Sequence, residues 1–214
     1  NLKKIKKKII GIFGGTFDPV HIGHKLVIEN LLELIPLDEL IVIPNGNPPH
    51  KEKRIGKENK LRMTRFALGH IDRVKIDDRE IKKERASYAF LTFKEIQEEN
   101  PNDTLLWIMG SDSYSKIDTW FNYEKFLEEV NLVVLTRPDC PIEKDSFAGK
   151  MLERRSIDNV NEFEHQNCKI LLLDIDPTKI TSTEIRNMIS SKNDVSESLN
   201  QDVYQFIKEN NLYE

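Results

Sequence analysis

Six short apolar runs punctuate the chain: "KIIGIF" (Lys8–Phe13), "ELIVIP" (Glu39–Pro44), "VKIDD" (Val74–Asp78), "TLLWIMG" (Thr104–Gly110), "NLVVLTRP" (Asn131–Pro138) and "KILLLDI" (Lys169–Ile175). Runs this short, bounded by glycine, proline or charge, read as strands. Helical spacing fills the stretches between them. Val27, Ile28, Leu31, Leu32 and Ile35 share one face, and Pro36 ends that helix. Residues from about Glu58 to Gly69 look helical, as do Ser87–Asn100, stopped by Pro101. A C-terminal helix carries Val203, Phe206 and Ile207 on one face. Strands that are apolar along nearly their whole length need cover on both faces. Alternation with helices therefore predicts an α/β fold, a doubly wound parallel sheet with helices on both sides. Its crossovers should be right-handed, and a ligand should lie beyond the C-terminal strand ends, where the strand order reverses. Gly14–Gly15, Pro44–Lys51, Gly110–Asp112 and Arg137 all follow predicted strands.

A length of 214 residues suits one core. The expectation is a single domain over 1–214, its part from about residue 177 a helical subregion. Hydrophobic residues are 38% and charged residues 32%, the balance of a soluble globular protein. No apolar run approaches the roughly 20 residues of a membrane span. The basic start, "NLKKIKKKII", is expected to be a solvated lead-in to the first strand. A net charge of -4 gives no reason to expect a nucleic-acid partner. Cys140 and Cys168 form no CxxC, which favours a reducing, cytoplasmic location. Residues from about Asp139 to Gln166 are charged and poorly periodic and receive no element. A homo-oligomer is compatible with the sequence.

Chemistry concentrates in "GIFGGTFDPVHIGH", Gly11–His24. Gly14 and Gly15 let backbone amides approach a ligand. Asp18 suits an N-cap and Pro19 a first helical turn. The helix that follows would present unpaired N–H groups to an anion, with His21 and His24 on one face. Imidazoles donate to phosphate oxygens and can carry charge near pH 7, so the stretch is read as a site for the phosphates of a nucleoside triphosphate. Zinc binding would need further ligands at metal spacing, which the neighbourhood lacks. Neither the dinucleotide GxGxxG pattern nor a Walker A lysine is present. A second stretch, "ITSTEIR" (Ile180–Arg186), contains a capping box, Thr181 to Glu184. Capping does not explain Arg186. Helical side chains lean toward the N-terminus, so Arg186 can reach an anion held by Ser182 and Thr183.

"GGTFDPVHIGH" and "ITSTEIR" together resemble the HxGH nucleotidyltransferases, and within them the nicotinate mononucleotide adenylyltransferases. The resemblance implies a Rossmann-like fold and transfer of AMP from ATP to nicotinate mononucleotide, giving deamido-NAD and pyrophosphate in NAD biosynthesis. It implies His21, His24 and Arg186 as the catalytic residues. Gly14, Gly15, Thr16, Phe17, Ser182 and Thr183 would bind ATP, with Mg²⁺ carried on its phosphates and no metal held by the protein. "PNGNPPHK" (Pro44–Lys51) is by itself a stiff turn; the family has a similar loop over the substrate, which makes His50 and Lys51 candidates. "EIKKERASYAFLTF" (Glu80–Phe93) is similar to the family's pyridine-recognition segment and brings in Ser87 and Tyr88. It departs from the family at Lys83, where arginine is usual, and at Ala89, where threonine is usual, which leaves the amide mononucleotide open as a substrate. "WIMGSDSYSKIDTW" (Trp107–Trp120) matches a stretch in which Gly110 and Asp112 meet ATP and Trp120 stacks on the pyridine; Trp107 reads as core. Arg137 fits either a substrate contact or a surface cation. The C-terminal "VYQFIKENNLY" is similar to the family's ending. Rival readings are a phosphopantetheine adenylyltransferase and a nucleotide-binding regulator without turnover.

Overall fold

All six of the expected strands form, and a two-residue seventh joins them. The computed structural model describes residues 7–46, 55–175 and 179–214. In chain order the elements are β1 (Ile9–Gly15), α1 (Ile22–Leu34), β2 (Glu39–Pro44), α2 (Lys57–Leu68), β3 (Val74–Ile76), α3 (Ala89–Glu99), β4 (Thr104–Gly110), α4 (Ser111–Tyr114), α5 (Tyr123–Leu127), β5 (Asn131–Thr136), α6 (Phe147–Arg155), β6 (Ser156–Ile157), β7 (Ile170–Asp174), α7 (Ser182–Ser190) and α8 (Gln201–Glu209). The strands make one sheet in the order β3-β2-β1-β4-β5-β7-β6. The pairings β1–β4, β4–β5, β5–β7 and β6–β7 are all parallel. The winding leaves β1 through β2 on one side and resumes at β4 on the other. In sheets of this kind a ligand lies beyond the C-terminal strand ends at that reversal, which here is the end of β1.

Two boundaries differ from the sequence reading in ways that matter. β1 does not stop at Phe13 but runs on through Gly14 and Gly15. The helix after it starts at Ile22, so Asp18 is not its N-cap and Pro19 is not in its first turn; the Asp18–Pro19 peptide is cis and lies in the connecting turn. The stretch without an expected element holds α6. Ser146 caps it by accepting from the Gly149 N–H at 3.1 Å, and it buries only Ala148 and Met151. Nine residues with two buried positions give too thin a stripe to be seen as periodic.

The described residues cluster into two compact units: 7–13, 35–40 and 88–175 in one; 14–34, 41–46, 55–87 and 179–214 in the other. The division falls inside β1 and inside β2. In the first unit Gly11 is needed because a Cβ there would lie within 3.0 Å of Leu40, Leu37 and Ile108 side-chain carbons. Its aromatic core sets the Phe126 ring edge-on to both Phe93 and Trp107, at 5.6 and 5.5 Å. Such contacts add to the area that each ring buries. The second unit packs α8 on α2, with Phe206 edge-on to Phe66 at 5.8 Å and under the Arg62 guanidinium at 4.6 Å. The expected face of α8 is buried at Val203, Phe206 and Ile207. Ile28, Leu31 and Leu32 of α1 are buried too, with Ile35 just beyond it.

Just after β2, Gly46 lies against the backbone of Glu80, and a Cβ at Gly46 would overlap the Glu80 carbonyl oxygen. No side chain can move to relieve that contact. Gly46→Ala is expected to lower unfolding free energy by about 3 kcal/mol, measured by urea denaturation.

Candidate functional site

The second unit holds the turn that joins β1 to α1. Gly15 is required there by a neighbour, since a Cβ would fall 2.6 Å from the ring of Phe17. Phe17 takes a left-handed backbone, φ 47°, and folds its ring inward, where it is 1% exposed. The ring then meets His24 edge-on at 5.0 Å. Phe17 is thus a support under a histidine. Gly14 has room: a Cβ there would stand 3.5 Å from the Asn45 side chain, an ordinary contact distance. The Asn45 N–H donates to the Gly15 carbonyl at 2.8 Å. Thr16 follows directly, between Gly15 and Phe17.

His21 is the residue that caps α1. Its carbonyl accepts from the N–H groups of His24 and Lys25, and its Nδ1 accepts from Gly23 N–H at 3.1 Å. His21 N–H in turn donates to His24 Nδ1 at 3.1 Å. The two rings lie 3.8 Å apart at 35°, so the expected shared face is present. A nitrogen that accepts a hydrogen bond carries no proton, so both rings hold theirs on Nε2. Burial lowers the pKa of His21 to about 4, against a smaller opposing pull from Glu184. That corrects the sequence reading of an imidazole charged near pH 7: His21 is a neutral donor.

Helix α7 meets the same turn. Thr181 and Glu184 make the capping box, with Glu184 N–H donating to Thr181 Oγ1 at 3.1 Å and Thr181 N–H to Glu184 Oε2 at 2.9 Å. Arg186 does reach back toward the helix start, as its position implied. Its Nη2 donates to Thr183 Oγ1 at 3.0 Å and its Nη1 to the Asp18 carbonyl at 2.6 Å. Ser182 Oγ donates to the Pro19 carbonyl at 2.9 Å. Arg186 Nε is buried with no partner, a donor left over. Ser182 and Arg186 therefore bind the turn as well as standing beside it, and Thr183 steadies Arg186. Ser87 belongs to this unit as well. His50 and Lys51 lie outside the described residues.

The first unit carries the other candidates. At the end of β4, Asp112 folds back so closely that a Cβ on Gly110 would lie 2.5 Å from its Oδ1. Asp112 pairs with Arg137 at 3.9 Å, both side chains about half exposed. Buried Ser111, which sequence reasoning missed, ties this group together: it accepts from Arg137 N–H at 3.1 Å and donates to the Cys140 carbonyl at 3.0 Å. Tyr88 stands just before α3 and stacks on Phe121 at 4.5 Å. Phe121 was also missed, although it follows Trp120 directly. Trp120 has its ring stacked at 6.1 Å on Phe126. Trp107 is core, as read. Among the described residues no three His, Cys, Asp or Glu side chains converge to hold a metal, and no helix is long and apolar enough to cross a membrane.

Comparison with known proteins fits this arrangement. The profile of the cytidylyltransferase-like family matches residues 12–188. A Clostridium tetani protein named "probable nicotinate-nucleotide adenylyltransferase" is 35% identical over 98% of this chain and 100% of its own length. A Pseudomonas syringae protein of the same name is 32% identical over 95% and 93%. In fold the chain is similar to Plasmodium falciparum nicotinic acid mononucleotide adenylyltransferase complexed with NaAD: TM-score 0.74 at 22% identity, over 96% of this chain and 97% of that one.

Because His21 is neutral in the folded chain and protonates freely when unfolded, the unfolded state binds more protons between pH 6.5 and 4. Stability is therefore lost as pH falls through that window, by about 3 kcal/mol from this group. His21→Asn keeps an acceptor for Gly23 N–H but cannot titrate. Urea midpoints of the two proteins, compared from pH 7.5 to 4.5, should show the wild type losing more on the way down.

Proposed function

The chain belongs to the cytidylyltransferase-like family, among relatives named nicotinate-nucleotide adenylyltransferases, and we propose that it transfers AMP from ATP to nicotinate mononucleotide, forming deamido-NAD and pyrophosphate in NAD biosynthesis. The observation that carries the reading is the His21–His24 pair, two stacked rings with both Nδ1 atoms engaged by backbone and both ring protons on Nε2. Two neighbouring N–H donors suit the oxygens of a polyphosphate.

An oxygen of the mononucleotide phosphate attacks the α-phosphorus of ATP. The new P–O bond forms as the bond to the bridging oxygen breaks, and the electron pair leaves with pyrophosphate. No general base is needed, because a phosphate monoester is already anionic near pH 7. Positioning and charge stabilisation are the protein's part. His21 and His24 donate to the triphosphate, and Arg186 brings a permanent positive charge. A neutral His21 has a use here: it donates without requiring a buried charge. Gly14, Gly15, Thr16, Phe17, Ser182 and Thr183 border the triphosphate in this reading, and Gly110 and Asp112 take the remainder of ATP. Ser87, Tyr88, Trp120, Arg137, His50 and Lys51 belong to the acceptor. The cation would be Mg²⁺, arriving on the ATP phosphates and keeping most of its own waters; the donor set at the turn is one of N–H groups, which fits phosphate oxygens rather than a metal ion. When bound, it neutralises phosphate charge.

Ala89 is the first residue of α3, where a backbone N–H has no partner within the helix. Loss of the usual threonine hydroxyl leaves that donor in place, which supports the acid as substrate. A cytoplasmic location is supported by Cys140 and Cys168, which are both free thiols.

Pyrophosphate release with Mg-ATP should be strong with nicotinate mononucleotide and weak with the amide or with phosphopantetheine. Equal rates with both pyridine nucleotides would remove the acid preference; release with phosphopantetheine alone, or with none, would overturn the reading. His24→Asn keeps an acceptor for His21 N–H and deletes the Nε2 donor. Its kcat should fall by about 10²–10³-fold, with the urea midpoint near that of wild type.

A further inference from the structure

The Asp18–Pro19 pair is held three times over. Arg186 Nη1 donates to the Asp18 carbonyl, Ser182 Oγ donates to the Pro19 carbonyl, and Tyr213 Oη donates to Asp18 Oδ1 at 2.6 Å. Asp18 is 7% exposed and Val20 is fully buried, so the stretch from Asp18 to His21 has little freedom of its own. Burial and the adjacent Asp18 carboxylate push the Tyr213 phenol far above its ordinary range. The hydroxyl is thus a donor at every pH the protein meets. Tyr213 reaches this place through a backbone with φ 69°, two residues after Asn211 at φ 48°. Left-handed residues that are not glycine carry strain, which persists only where the surroundings hold it.

We infer that Tyr213 is a positioning residue for catalysis: through the Asp18 carboxylate it fixes the turn from which His21 and His24 present their Nε2–H donors. The inference rests on the proposed reaction for its kinetic consequence, but its structural consequence stands alone. Of the three clamps, two act on backbone carbonyls from one helix, α7. Only the third grips a side chain of the turn, and it comes from beyond α8. A phenol and a buried carboxylate joined at this distance form a charge-assisted bond with a defined direction. Without it the buried carboxylate loses that donor, and the turn is left with the two backbone clamps from α7. Misplacing a donor by a fraction of an ångström weakens transition-state stabilisation more than ground-state binding.

The test is Tyr213→Phe, which removes one oxygen and keeps the ring. We expect kcat to fall about tenfold while KM for ATP and for the mononucleotide stays within about twofold. Nitrogen-15 spectra of the histidine rings give the second readout. In the variant the resonances of His21 and His24 should shift or broaden, while those of His70 and His165 stay in place. Asp18→Asn retains an oxygen that can accept from the phenol, and it should keep both rings in the Nε2–H form. Unchanged kcat with unchanged ring spectra would overturn the inference, as would changes spread evenly over all histidines, which would mean general loosening. If the wild type fails to turn over at all, the proposed reaction fails, and the ring spectra alone still decide whether Tyr213 holds the turn.

Discussion

The grip on the Asp18–Pro19 turn is the constraint on which the candidate site depends. The turn contains no helix or strand, so no helical or sheet ladder satisfies its Asp18 and Pro19 carbonyl groups. Arg186 and Ser182 do so from outside, and Tyr213 holds the Asp18 carboxylate. Buried backbone acceptors must find partners, and here the partners come from the same helix that the capping box starts. One consequence is economy of parts: the arginine proposed to carry charge for a phosphate also pins the loop that leads into His21 and α1. Another is that α7 could not shift by a turn without freeing both carbonyls.

Electrostatics at the site follow from this packing. Burial makes His21 a poor base, so the imidazole at the start of α1 is neutral, and the cation beside the turn is Arg186. Guanidinium stays protonated under any working condition and offers several donors. Its three nitrogens have three different situations here: one holds a carbonyl, one a hydroxyl, and one is unpartnered.

Much of this was readable in advance. The strands were legible because parallel strands buried on both faces are apolar runs, and β2 and β4 have the expected limits at Glu39–Pro44 and Thr104–Gly110. The capping box at Thr181 was legible because it is a local rule acting over three residues. The cap of α1 was misread for the same kind of reason: Asp18 and Pro19 are good helix-start residues locally, but tertiary contacts on both of their carbonyls override that preference. Charge on His21 was misjudged because burial does not show in a motif. Ser111 and Phe121 were missed since each acts through partners distant in sequence, Cys140 and Tyr88. The place of Tyr213 was not legible either, because a tyrosine near a polar tail looks the same whether or not a carboxylate waits for it.

The separations along the chain have a meaning for synthesis. Pro19 meets Ser182 across 163 residues, and Asp18 meets Arg186 across 168 and Tyr213 across 195. On a ribosome adding about 5–20 residues per second, the turn emerges early and waits about 10–40 s for its last partner. Through that interval the nascent protein has its histidines but lacks the scaffold that aims them. A product truncated before Ser182 would lack all three clamps on the turn, whereas one truncated just before Tyr213 would lack only the grip on the Asp18 side chain.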